Sequence, residues 1–450
     1  MKIDKSILLS LLILTINLNA LEDKNNAYIL YLPNQADTNA IEIAIKDNID
    51  LLDHPTTAGS YAMLDNIADK DAFLVTRLKE AGYWINGKTN LSEWANFRSE
   101  KSISGWSSYG GQTLNPYREN LNPCGSSSGS AVAVASGLVQ ISIGTETNGS
   151  ISCPSSVNGI VGFKPTVGIV SRSGIIPISK TQDTAGPMGK TVRIVAETLE
   201  AIAGPDPEDP TTLMSPENFS YDFTSDLDKE GISGKRLGLL KSGEEFDEAK
   251  KLLKRISNHV EKLGGTVIEI DDDREYPGKE EYFLLLYEFK LGLEEYLSKS
   301  NSSLKTIESL IDFHKDNSEI MMPYFEHEIF EKSIATANKI EEYENALKMV
   351  EKVRAEFNQL LDKYNLDGFI GLTRNPAWEI DYEGGDDAAM SKQMGFGNGA
   401  YAAIAGYPHL TLPLATIDDL PVGVSLIGKA WSDAEILKMG YDLEKNRDLF

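Results

Sequence analysis

Three features of the sequence carry residue types that could do chemistry together. The first is a run of serines and glycines, Gly125-Ser126-Ser127-Ser128-Gly129. The second is a loop-like stretch, Gly144-Thr145-Glu146-Thr147-Asn148-Gly149-Ser150, which sets Ser150 24 residues after Ser126. The third is Lys46, which closes an apolar stretch containing Ile41, Ile43 and Ile45. A serine hydroxyl is a weak nucleophile until a neighbouring base takes its proton. Lysine can be that base only when neutral, and its pKa in water is about 10.4. Burial disfavours the ammonium form and would lower that value, and the flanking isoleucines suit a buried lysine.

Each feature also has a simpler reading. Residues 125–129 fit the G-x-S-x-G pattern of a nucleophile elbow centred on Ser127, which needs a strand leading in and a helix leading out. The approach Asn120-Leu121-Asn122-Pro123-Cys124 is polar and contains proline, so it makes a poor buried strand. An HGGG-type oxyanion loop is also missing. A short serine-glycine run can equally be a plain turn, and a lone lysine is usually a solvated surface charge. Metal chemistry has less behind it. The histidines (His54, His259, His314, His327 and His409) are scattered without an HExxH pair, and Cys124 and Cys153 have no ligand spacing. No metal and no cofactor is expected, and whether the two cysteines pair is left open.

Taken together, the three features resemble the amidase signature family. The matching residues are Lys46-Asp47-Asn48, Cys124-Gly125-Ser126-Ser127-Ser128-Gly129-Ser130 and residues 144–151. The match continues through Gly162-Phe163-Lys164-Pro165-Thr166 and Asp183-Thr184-Ala185-Gly186-Pro187-Met188. It resumes at Ala405-Gly406-Tyr407-Pro408 and Leu420-Pro421-Val422-Gly423. Residues 144–154, Ile175-Ile176-Pro177-Ile178-Ser179 and Ala430-Trp431-Ser432 look most like bacterial peptide amidases, which release ammonia from C-terminal peptide amides.

The resemblance implies an amidohydrolase for linear carboxylic amides, working through an acyl-serine. Ser150 would be the nucleophile, Lys46 the base and Ser126 the bridge between them, with Ser127 in support and a cis Gly125–Ser126 peptide bond. Backbone N–H groups of Thr147, Asn148, Gly149 and Ser150 would line the oxyanion hole. Branches that handle acidic amides or glutamine carry an arginine just after the nucleophile. Here those positions are Ser152 and Cys153, so amides with a neutral acyl group are expected to be preferred. The competing readings are a catalytically impaired amidase-like protein and an amidotransferase A-type subunit.

The elements that must position these residues follow from periodicity and punctuation. Residues 71–81 have helical spacing, and Tyr83-Trp84-Ile85 reads as a strand before a loop Gly87-Lys88-Thr89-Asn90. Residues 100–129 have the composition of a linker. Residues 130–138 read as a tight helix capped by Ser128 or Ser130, residues 139–143 as a buried strand, and residues 144–150 as a loop. Short strands are predicted at 160–163, 175–178, 236–240, 266–270, 369–370 and 410–412, and helices at 245–263 and 433–444. Residues 280–365 look almost wholly helical, ending in a stripe from Ile340 to Tyr364 that fits core packing. The expected fold class is α/β: an amidase-signature fold with a twisted mixed β-sheet core, helices on both faces and a helical insertion. One domain over 21–450 is expected, with a catalytic core at about 40–270 and 366–450 and the insertion at about 275–365. The segment before Lys46 is short for the family, as if an N-terminal helical layer were missing.

The chain has 450 residues, 41% hydrophobic and 25% charged, ordinary values for a globular protein with a substantial core. A formal charge of −25 repels nucleic acid and anionic lipid, so the expected partner is a small-molecule or peptide amide, with the protein a monomer or homodimer. Lys2 and Lys5, an apolar run over residues 7–16 and Leu18-Asn19-Ala20 have the layout of a secretory signal, too short to span a bilayer. Residues 1–20 are therefore read as a signal peptide, the mature protein as periplasmic or secreted and free of the membrane. N-terminal sequencing of exported protein should begin at Leu21, and an intact N-terminus in the cytoplasm would contradict export.

Overall fold

The computed structural model describes residues 22–33 and 40–450, so the secretory signal read from residues 1–20 lies outside it. Two alternations at the centre of the chain organise the fold. In β2 (Ile41–Lys46), Ile43 and Ile45 enter one apolar core and Ala44 enters another, since successive strand residues point to opposite faces. The first core holds the helices Phe73–Glu80, Val192–Ile202 and Asp247–Lys262, and the second holds the helix Ser128–Ala135. A sheet covered on both faces follows directly from that pattern.

The sheet has eleven strands. Besides β2, the N-terminal half supplies β1 (Tyr28–Tyr31) and β3 (Tyr83–Thr89), and a separate two-stranded ribbon forms from β4 (Trp106–Ser107) and β5 (Gly111–Gln112). Next come β6 (Ile141–Glu146), β7 (Val161–Lys164) and β8 (Thr184–Gly189). The C-terminal half adds β9 (Arg236–Leu239), β10 (Thr266–Glu269), β11 (Gly368–Leu372), β12 (His409–Ile417) and β13 (Leu420–Ile427). Their order is β1-β3-β2-β6-β8-β7-β12-β13-β11-β9-β10. Strand β2 runs parallel to both β3 and β6, whereas β6, β8, β7, β12 and β13 pair antiparallel, so the sheet is mixed.

Several expectations need correction. Residues 175–178 form no strand; Ile175 makes one isolated bridge to Ile49. Ile176 and Ile178 pack instead on the helix Gly278–Lys299, against Phe289 and Leu293. Gly87, Lys88 and Thr89 are strand, not loop, and β6 runs to Glu146, which leaves only residues 147–150 as loop. Strand β8 has no strand signature in the sequence, because Thr-Ala-Gly-Pro-Met-Gly has almost no β-forming residues. The linker-like composition of 100–129 is misleading, since residues 121–129 are all buried. Ser127, not Ser128 or Ser130, is the cap position of the helix that follows, and it makes no side-chain capping bond. In the stripe of the helix Ile340–Tyr364, Val350, Val353 and Phe357 are buried while Ile340 is exposed.

Residues 278–364 carry five helices: Gly278–Lys299, Ile307–Asp316, Ser318–Met321, Glu328–Ile334 and Ile340–Tyr364. No helix among the described residues is long and apolar enough to cross a membrane.

A disulfide joins Cys124 to Cys153, which are 29 residues apart. It ties the buried segment before the helix Ser128–Ala135 to the helix Ser152–Val157. Closing a loop of that length restricts the unfolded chain and contributes about 3 kcal/mol. A Cys124→Ser/Cys153→Ser variant should lose about that much unfolding free energy in a urea titration. A loss below about 1 kcal/mol would show that the bridge does not constrain the chain in this way.

Candidate active site

Lys46 sits at the last position of β2, on the face it shares with Ala44, and is fully buried. The isoleucines that suggested burial are not what encloses it. Ile43 and Ile45 lie on the opposite face, and Ile41 is exposed. Hydroxyl groups surround the amine instead. Its Nζ lies 2.8 Å from Ser126 Oγ, 3.0 Å from Ser127 Oγ and 2.9 Å from Thr145 Oγ1. Burial pushes the Lys46 pKa down to about 7; the negative charges of Asp183 and Glu146 act the other way without overcoming it.

The next residue, Asp47, faces a different partner. Its carboxylate pairs with Lys88 Nζ at 3.0 Å, both side chains being buried, and also accepts from the N–H and hydroxyl of Thr57. Lys88 donates further to Pro55 O at 2.6 Å and Thr56 Oγ1 at 2.9 Å. Lys88 thus pairs with Asp47, while the side chains in contact with the Lys46 amine are all neutral. Sequence reading singled out neither Lys88 nor Thr145, because neither side chain stands out by type or spacing.

The serine segment crosses this site as buried, bent chain. The Gly125–Ser126 peptide bond is cis. A Cβ on Gly125 would come within 2.1 Å of Ser92 Oγ, so only glycine fits there. Ser127, the centre of the elbow pattern, has no strand leading into it. Its hydroxyl donates to Thr145 O at 3.0 Å and accepts from Thr145 N at 3.2 Å and from Lys46. That hydroxyl is fully engaged and fully buried, which makes Ser127 a brace between the serine segment and β6 and removes the elbow reading.

Residues 147–150 turn from β6 into the helix Ser152–Val157. Glu146 Oε2 accepts the N–H groups of Ile151 and Ser152 at 2.8 and 2.9 Å. Thr147 Oγ1 donates to Asp183 Oδ1 at 2.5 Å, and Asn148 Nδ2 donates to Glu281 Oε1 at 2.8 Å. Burial pushes the Asp183 carboxyl up to about 6 while its hydrogen bonds pull it down. Ser150 O accepts from Ser127 N at 3.2 Å, which ties the two loops together. The N–H groups of Thr147, Asn148, Gly149 and Ser150 donate to no backbone carbonyl among the described residues, so they are free for an incoming oxygen. Gly149 has φ +85°, and a Cβ there would point into open space.

Two cavities flank this turn. One of about 590 Å³ is lined by Ser126, Thr145, Thr147 and Asp183. The other, of about 730 Å³, is lined by Gly125, Asn148, Gly149 and Cys153. Both are large enough for a small organic ligand or short peptide. Among the described residues, no three of His, Cys, Asp and Glu are placed to hold a metal ion.

Comparison with known proteins gives a consistent picture. The model of the family described as Amidase matches residues 36–437. An Arabidopsis thaliana protein named as a probable amidase is 36% identical over 414 residues, covering 90% of this chain and 76% of its own. A glutamyl-tRNA(Gln) amidotransferase chain of Lactococcus lactis is 32% identical over 433 residues, covering 91% and 84%. Among solved structures, the peptide amidase of Stenotrophomonas maltophilia aligns with a TM-score of 0.87 and 39% identity, over 95% of this chain and 90% of its own. A peptide amidase bound to the competitive inhibitor chymostatin aligns at 0.88 and 40%, over 96% and 91%.

Proposed function

This chain belongs to the amidase family, hydrolases of carbon–nitrogen bonds in amides, and we propose that it cleaves primary carboxamides, C-terminal peptide amides foremost, through Lys46, Ser126 and Ser150. The observation that carries this reading is Lys46 itself. A fully buried amine with a pKa of about 7 is neutral in a large fraction of molecules at physiological pH, and it lies 2.8 Å from the hydroxyl of Ser126.

In the proposed sequence of steps, neutral Lys46 takes the Ser126 proton while Ser126 takes that of Ser150. Ser150 Oγ attacks the amide carbon, and the developing oxyanion meets the free N–H groups of residues 147–150. As the C–N bond breaks, the proton returns by the same path to nitrogen, and ammonia leaves an acyl-serine. Water then repeats the path: its proton goes to Lys46 through Ser126, and the acid departs as Ser150 regains a proton. Asp183 and Glu146 are positioning residues in this scheme, since they hold the oxyanion loop through Thr147, Ile151 and Ser152.

The peptide-amide preference draws on the likeness to peptide amidases of known structure. The absence of a cation at Ser152 and Cys153 fits a neutral acyl group: the Ser152 N–H is held by Glu146, and Cys153 is in the disulfide. We also propose export, because a disulfide between the chain's two cysteines suits an oxidising compartment.

A fluorophosphonate probe should label Ser150. Ser150→Ala should abolish labelling and lower kcat by about 1,000-fold or more. Labelling at Ser127 in the wild type, or full activity in Ser150→Ala, would overturn this assignment.

A further inference from the structure

The cavity of about 730 Å³ beside the oxyanion loop contains a cation that the proposed chemistry does not use. Arg374 lines it just beyond β11, together with Trp378 and Asp387. The Arg374 guanidinium has no carboxylate in salt-bridge contact among the described residues. Its Nε is enclosed with no hydrogen-bond partner, and an Nη donates only to the thioether sulfur of Met390, a weak acceptor. The guanidinium carbon lies 5.6 Å from the centre of the Trp378 ring. Arg374 is only partly exposed, and its buried Nε–H is costly to leave without an acceptor, which favours a ligand that accepts from the guanidinium. Gly125 and Gly149 line the same cavity, so a ligand held by Arg374 can extend through it to the proposed oxyanion loop.

The chemistry of the acceptor follows from the surrounding charge. Asp386 and Asp387 also line the cavity, and their charges act on Arg374. Asp386 is held by Asn122 Nδ2 at 2.8 Å and Ser104 N at 3.0 Å. A substrate carboxylate would meet one cation and two carboxylates, a net repulsion. A neutral carbonyl oxygen meets none, and it accepts well from a guanidinium. A peptide main chain offers carbonyls for Arg374 and N–H groups for the Asp387 carboxylate, with Trp378 supplying an apolar wall.

We propose that this cavity is the acyl-side subsite and that Arg374 is a specificity-determining residue, donating to a main-chain carbonyl of the peptide N-terminal to the scissile amide. This rests on the amide-hydrolase reading above and deepens it.

The test compares kcat and KM of the wild-type, Arg374→Met and Arg374→Lys proteins on three substrates. These are glycyl-leucinamide, 4-methylpentanamide, which keeps the terminal acyl chain without a peptide bond, and succinamate. Arg374→Met should raise KM for glycyl-leucinamide about 10- to 100-fold, the range of one charge-assisted hydrogen bond, with little change in kcat. 4-Methylpentanamide should be turned over as by the wild type. Arg374→Lys should recover part of the loss, since it keeps a charged donor but not the planar fork. An unchanged KM for glycyl-leucinamide in both variants would overturn the proposal. So would an equal loss on both neutral amides, or a selective loss on succinamate. A wild type that hydrolyses 4-methylpentanamide but not glycyl-leucinamide would instead refute the peptide-amide reading itself. Should Arg374→Met fail to fold, Arg374→Lys alone decides through the ratio of the two neutral substrates.

Discussion

An amine buried without a carboxylate in contact is the constraint on which the site depends. A lysine that touched Asp or Glu would stay charged and could not accept a proton. Lys46 touches Ser126, Ser127 and Thr145 instead, all neutral, and burial dominates the nearby charges of Asp183 and Glu146. Asp47, the next residue in the chain, pairs instead with Lys88 on the neighbouring strand. Of these two buried lysines, one is paired with a carboxylate and the other touches only neutral side chains.

The rest of the fold supplies the enclosure. The parallel triplet β3-β2-β6 sets Lys46 beside Thr145, with the helix Ser128–Ala135 over that face. Small residues make the close approach possible: Gly129 sits where a Cβ would come within 2.2 Å of Ala27 O, and Ala131 and Ala133 are fully buried. Ser127 bridges the serine segment to β6, and the disulfide ties the same segment to the helix after Ser150. The helical region reaches in through Glu281, which holds Asn148, so the proposed oxyanion loop is braced from both the sheet and the helices.

Much of this was legible in the sequence, for identifiable reasons. Long amphipathic segments such as Asp247–Lys262 and Ile340–Tyr364 announce themselves by period. Lys46, Ser126 and Ser150 stood out because they fall in three motifs at recognisable spacing. Other features were hidden. Thr184–Gly189 is a central strand whose glycines and proline deny it any strand signature, and it is held by its neighbours β6 and β7 on either side. Residues 121–129 look like a linker because their burial is satisfied by hydrogen bonds such as Ser128 Oγ to Cys124 O at 2.6 Å, rather than by apolar side chains. Arg374 carries no local pattern at all. It acquires meaning only when β11 and the residues after it bring it to the cavity beside Gly149.

The central claim is that Lys46 is a base because burial makes it neutral, and the pH dependence of kcat/KM tests that most directly. A group whose pKa is lowered to about 7 is charged below that pH and neutral above it. With a neutral amide as substrate, kcat/KM should therefore fall about tenfold per unit on the acid side of pH 7 and level off above it. A profile that stays flat from pH 5 to 9, or rises only near the ordinary lysine pKa of about 10.4, would contradict the account.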